Sequence, residues 1–170
     1  MHLRHAAVAV TTLLLLTGCG HTARELKAIN ALRLGFIQHN DAAAVAAAGP
    51  RYGECAAEGL VDRVGLDQLE VEGVLSADQR LGAATGRILS SEVRRAVGEA
   101  GYECLDWDAL AGYLTHVGTS PKETEVFVEC LKDIDQDVWK GALADELQGA
   151  EQSWAREHRD SAISSCVPVA

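Results

Sequence analysis

Five cysteines, and their placement relative to one apolar run, set the terms for any fold this chain can adopt. The run extends from Ala6 to Leu16, follows the basic Arg4, and ends in Thr17-Gly18-Cys19. It is too short to span a bilayer, which takes about 20 apolar residues, but it fits the apolar stretch of a secretory leader with small residues at the cut. Removing residues 1 to 18 leaves residues 19 to 170, a length suited to one domain with a single core. Exported chains fold where thiols oxidise. The four remaining cysteines, Cys55, Cys104, Cys130 and Cys166, therefore imply two disulfides more readily than four free thiols. None is spaced as C-x-x-C, so neither a thioredoxin-like redox site nor a zinc knuckle has support.

The tetrapeptide Leu16-Thr17-Gly18-Cys19 resembles the lipobox of bacterial lipoproteins. In that family the leader is cut before the cysteine, which becomes the acylated first residue. The resemblance implies a signal peptide over residues 1 to 18, lipidation (diacylglyceryl, palmitate-type) at Cys19, and a mature protein on the outer face of the cytoplasmic membrane. The membrane is then a partner through the lipid, since two acyl chains are about what stable anchoring requires at roughly 0.8 kcal/mol per buried methylene.

Charge narrows the other partners. The net charge is −10, and the leader takes one of the basic residues with it. No Lys/Arg cluster offsets the excess of acid, so phosphate backbones are repelled and nucleic acid is excluded as a partner. Anionic headgroups are repelled too, which leaves the lipid to make the membrane link.

Apolar spacing reads as helix throughout. Leu26, Ile29, Leu32, Phe36 and Ile37 recur at three- and four-residue steps, the period of one helical face. Asn40-Asp41 interrupts, Ala42 to Ala48 favours helix again, and Gly49-Pro50 stops it. Residues 19–52 are thus an acylated N-terminus with N-terminal helices, and residues 53–170 a cysteine-containing helical domain. Ser90 or Ser91 caps a helix with Val93, Val97, Ala100 and Cys104 on one face. Ser120-Pro121-Lys122-Glu123 carries the capping-box signature with proline at the first helical position. Asp135 caps a helix that turns Val138, Trp139, Ala142, Leu143 and Leu147 inward before Gly149. Ser153 starts a last helix through Trp154, His158, Ala162, Ile163 and Cys166, and Pro168 closes the chain. Residues 71–89, punctuated by Gly73, Gly82 and Gly86, read as a polar loop with a short helix. Alternating strand patterns longer than four residues are absent, so the expected class is all-α, with about six to eight short helices.

Three segments repeat loosely: Glu54-Cys55-Ala56, Glu103-Cys104-Leu105 and Glu129-Cys130-Leu131, each followed by Asp and an amphipathic stretch. Their intervals of 49 and 26 residues are too unequal for a solenoid, and a duplicated helical unit fits better. That plan favours pairing Cys55 with Cys104 and Cys130 with Cys166. Cys104 with Cys130 stays open as the rival, since a hairpin of the helices between them also brings those two together. On Cys55-Ala56-Ala57 with Leu60-Val61-Asp62 and Gly65, Glu103-Cys104-Leu105-Asp106, and Glu129-Cys130-Leu131-Lys132-Asp133, the chain is similar to small cysteine-paired helical lipoproteins of actinobacteria. That resemblance implies a fold and a location, and no activity.

No catalytic or cofactor-binding motif stands out. Asp133, Asp135 and Asp137 alternate like the opening of an EF-hand, but Val138 occupies the position that needs glycine and Ala144 the one that needs a bidentate Glu. Helix capping accounts for them, and for Asp106 and Asp108, without a metal. His21, His39, His116 and His158 are widely separated and form no ligand pair. No serine lies in G-x-S-x-G or S-x-x-K, and no Gly-rich phosphate loop occurs. Trp107, Trp139 and Trp154 fall at core spacing rather than as a carbohydrate platform. The favoured reading is a non-enzymatic envelope module that holds or recruits another protein. A small-ligand or lipid-binding lipoprotein comes second and an enzyme third.

Overall fold

Once its breaks are placed, the helical spacing becomes eight helices among the residues that the computed structural model describes, which are 21–38, 51–82, 88–150 and 153–167. They are α1 (Ala23–Gln38), α2 (Tyr52–Val64), α3 (Leu66–Val71), α4 (Ser91–Glu103), α5 (Trp107–His116), α6 (Pro121–Lys132), α7 (Gln136–Leu147) and α8 (Trp154–Cys166). The all-α class is as expected. Ser90, Asp106, Ser120, Asp135 and Ser153 each accept a hydrogen bond from a backbone amide of the helix they precede, satisfying donors the first turn leaves free. Ser120 and Glu123 complete the reciprocal capping box, with Pro121 at the first position. Gly65, at φ 79°, separates α2 from α3 because the chain there turns through backbone space that side chains disfavour.

The larger core joins α1, α2, α3, α4 and the C-terminal half of α7. Ala28, Ile29, Leu32 and Phe36 of α1 meet Tyr52, Ala56, Ala57, Leu60 and Val61 of α2. Val93, Val97 and Ala100 of α4 lie between that layer and Leu143, Ala144 and Leu147 of α7. The smaller core, Leu110, Val128, Leu131, Trp139 and Cys166, gathers α5, α6 and α8 around the start of α7. Tyr102 and Leu105 touch both, so the two are one continuous interior. Each buried Leu, Val or Ile contributes about 1.5–3 kcal/mol relative to exposure.

Disulfides join Cys55 to Cys104 and Cys130 to Cys166, with Cα–Cα distances of 5.8 and 5.6 Å. The first ties the opening turn of α2 to the end of α4, and the second ties the last turn of α6 to the end of α8. Cys55 and Cys130 thus stand at opposite ends of their helices, and the sequence likeness around them does not extend to equivalent places in the fold.

Some sequence expectations shift. Leu26 is half exposed, and Ala28 takes its place on the buried face of α1. Residues 71–89 are not simply a polar loop, because Val74 and Leu75 are buried in the main core and Leu75 bridges Leu81 across a tight turn. On α8 the inward line is Ala155, Arg159 and Cys166, one residue along from the Trp154 and His158 read from spacing; Trp154 is 65% exposed. The physical reason is that α8 approaches α7 at Gly141, where an added Cβ would lie 2.9 Å from the Ala155 Cβ, and small residues permit that approach. The expected helix over 42–48, its flanking breaks at Asn40-Asp41 and Gly49-Pro50, and Gly86 and Pro168 lie outside the described residues, as do residues 1–18 and Cys19.

Contact between α4 and α7 is closest at Gly98, where a Cβ would stand 2.4 Å from the Lys140 carbonyl oxygen. Backbone meets backbone there, so relief requires moving a helix. Gly98→Ala is expected to lower stability by about 1–3 kcal/mol through overpacking. Gly112→Ala, in α5 with nothing within 4 Å of the new Cβ, is expected to raise it by about 0.5–1 kcal/mol through backbone entropy. Urea denaturation of both variants checks the pair of opposite signs.

Candidate functional site

Buried charge is the best pointer to a site in a helical domain without a motif, because it costs free energy unless it is paired. Helix α7 carries two such groups in succession. Asp145 and Glu146 interrupt an otherwise apolar run from Ala142 to Leu147, and both are buried. Neighbouring residues on a helix point about 100° apart, so the two carboxylates face different helices. Asp145 Oδ1 lies 2.6 Å from Arg94 Nη2 of α4. Glu146 Oε1 accepts a hydrogen bond from Arg159 Nη1 of α8, and the side chains of this pair are only 6% and 11% exposed.

Arg159 is the centre of the arrangement. Its Nε and Nη2 donate to Asp160 Oδ1 at 3.0 and 2.9 Å, and its guanidinium carbon lies 5.9 Å from the centroid of the buried Trp139 ring, within cation–π range. Trp139 donates through Nε1 to the Leu131 carbonyl at 3.2 Å and meets Trp107 edge to face. Arg156 Nη1 donates to the Ala150 carbonyl at 2.6 Å, which ties the first turn of α8 to a residue just beyond α7. Glu146 Oε2 and Arg156 Nε are buried without a hydrogen-bond partner.

Burial pushes the Glu146 carboxyl above the ordinary carboxylate range, and the attraction and hydrogen bond of Arg159 offset it only in part. Burial opposes the charge on Arg159, yet Glu146 and then Asp160 hold its guanidinium more firmly protonated than usual. The Glu146 carboxyl is turned inward. The group meets α8 rather than solvent, and a pair of this kind fixes register between helices.

A second polar cluster joins the start of α1 to α3. Arg24 lies 3.2 Å from Asp67 and 2.6 Å from Glu70. Glu70 also accepts from Gln79 Nε2, and these bonds, Arg24 first, hold its carboxyl below the usual range. Glu72 accepts from the Ser90 amide at 2.9 Å, which lowers its carboxyl likewise. Gln79 sits at φ 57° with its side chain buried, so the hydrogen bond to Glu70 is made at some backbone cost.

The residues singled out in the sequence scatter. Asp135 caps α7, with its Oδ1 accepting from the Asp137 amide at 2.7 Å, and Asp133 stands at the end of α6. Among the described residues no three His, Cys, Asp or Glu side chains gather where they could hold a metal ion. His116 and His158 are exposed on different helices, His21 is half-buried, and His39 lies outside the described residues. His158 stacks against Trp154, with ring centroids 4.1 Å apart. Sequence reasoning missed Asp145, Glu146 and Arg159. The available signal was two adjacent acids set inside the apolar face of α7, with one arginine on the apolar line of α8.

Two outcomes follow for the buried pair. Arg159→Met alone should lower stability by about 3 kcal/mol or more, because it leaves Glu146 buried and unpaired, while Glu146→Leu with Arg159→Met should recover most of the loss. The raised Glu146 carboxyl contributes stability that is full below its unfolded-state value and is lost as pH rises through its folded value. The advantage of the native chain over Glu146→Gln should therefore shrink between about pH 4 and about pH 7. Urea denaturation at the two pH values checks this, and an advantage that grows over the same interval would contradict it. Comparison with family models, with curated proteins and with solved structures finds no match for this chain.

Proposed function

We propose that the chain is an exported, lipid-anchored, non-enzymatic module of the bacterial envelope that holds or recruits another protein. The observation that carries this reading is the combination of two interhelical disulfides with an acylation-type junction. Cys55–Cys104 and Cys130–Cys166 pair four of the five cysteines, as suits an oxidising compartment. The fifth, Cys19, stands directly after Leu16-Thr17-Gly18 at the end of an apolar run, and it is the one a lipid would take.

Among the described residues no helix is long and apolar enough to cross a bilayer. The charge of −10 favours a protein partner with a basic surface, since opposite fields speed encounter and disfavour acidic competitors. The Glu146–Arg159 pair supports a role in holding shape for such a partner, because both of its side chains are buried between α7 and α8.

Metabolic labelling with a fatty acid in the producing bacterium tests the anchor. The native chain should take up label and sediment with membranes, and Cys19→Ala should lose both properties. Equal labelling and equal sedimentation of the two would overturn the reading.

A further inference from the structure

Among the described residues the two large apolar side chains exposed by the greatest fraction are Ile88 at 92% and Val71 at 79%, ahead of Trp154 at 65%. They lie at one end of the domain. Val71 stands between Glu70, which is paired with Arg24 at the start of α1, and Glu72, which accepts a hydrogen bond from the Ser90 amide two residues beyond Ile88. The start of α1, the end of α3 and the approach to α4 are therefore tied together there by side chains.

That end also holds the start of α1, the first described helix after Cys19 in the sequence. Only four residue steps separate Cys19 from Ala23, the first residue of α1. Four steps of extended chain reach at most about 14 Å. A lipid on Cys19 would thus hold the start of α1 within about 14 Å of the acylated residue, about two headgroup layers' depth.

Cations at this end are tied to the acids around them. Arg24 pairs with Asp67 and Glu70, and Arg80 lies 2.7 Å from Asp78. The Ser76 hydroxyl, first, and the nearby Arg80 and Lys27 then hold the Asp78 carboxyl low.

We propose that this end is a membrane seat: Val71 and Ile88 enter the headgroup region of the bilayer and set the domain's orientation on it. The inference rests on the lipid-anchor reading above. A tethered domain gains such a contact at little entropic cost, because the anchor has already brought the surface within reach.

The test uses the acylated full chain on vesicles of phosphatidylethanolamine and phosphatidylglycerol that carry nitroxide-labelled lipid. An environment-sensitive fluorophore is placed in turn on Val71→Cys, Ile88→Cys and, as a distant control on α6, Lys122→Cys; the native thiols are paired or acylated and do not compete. Quenching should be several-fold stronger at positions 71 and 88 than at 122. It should fall to the control level at position 88 when Val71→Asp is added, with circular dichroism unchanged. Equal weak quenching at all three positions on vesicle-bound protein would overturn the seat and leave the anchor standing. Fluorophores at 71 and 88 that are shielded from water yet unquenched by the lipid would also overturn it, in favour of a protein contact at that end. Failure of the acylated chain to differ from Cys19→Ala in vesicle retention would instead overturn the anchor, and the seat with it.

Discussion

Helix α7 is the element on which the rest of the structure depends, and its place is set by backbone approach rather than by a covalent bond. At Gly98 the α4 backbone comes so near Lys140 that a methyl group would meet the carbonyl oxygen at 2.4 Å. At Gly141 the same helix admits Ala155 of α8. Two glycines thus let α7 lie against both neighbours at a separation that ordinary side chains forbid. Close approach multiplies weak contacts, each worth only about 0.1–0.2 kcal/mol, into a cohesive interface. The two cores meet along α7: Leu143, Ala144 and Leu147 face one, and Trp139 faces the other.

Glycine contacts bring helices close but do not say how far one has slid along another. The acids on α7 supply that. Asp145 finds Arg94 on α4, and Glu146 finds Arg159 on α8. A slip by one residue would leave a buried carboxylate without its cation, and the cost of an unpaired buried charge exceeds what most apolar mismatches cost. Neighbouring positions on one helix therefore address two partners in two directions. The raised Glu146 carboxyl records how much burial this arrangement accepts.

Local features were legible in the sequence because their causes are local. The caps at Ser120, Asp135 and Ser153 need only a hydroxyl or carboxylate within three residues of a free amide, and each was readable as such. The disulfide pairing favoured on a duplicated plan is the one present, but Cys55 and Cys130 stand at opposite ends of their helices, so the choice between Cys104 with Cys55 and Cys104 with Cys130 depended on packing. The inward line of α8 was misread because apolar spacing does not reveal that a neighbouring helix offers Gly141 and a carboxylate. With those on the facing surface, Ala155 and Arg159 turn inward and the bulkier Trp154 turns out. Val74 and Leu75 were missed for a related reason, since a short turn among glycines gives no period from which burial can be read.

The disulfides and the α7 contacts act on different states, and this explains why both are present. Neither disulfide includes α7; one joins α2 with α4 and the other α6 with α8, closing loops of 49 and 36 residues. By the chain-entropy account each removes about 4 kcal/mol of freedom from the unfolded chain, before any strain. They leave unspecified how the two tied groups of helices meet. That meeting is specified by α7, through glycines that permit approach and charges that fix register. A chain this acidic repels itself in any compact arrangement, so limiting the unfolded ensemble covalently lets the fold hold one buried and one half-exposed ion pair on α7 for register rather than apolar contact.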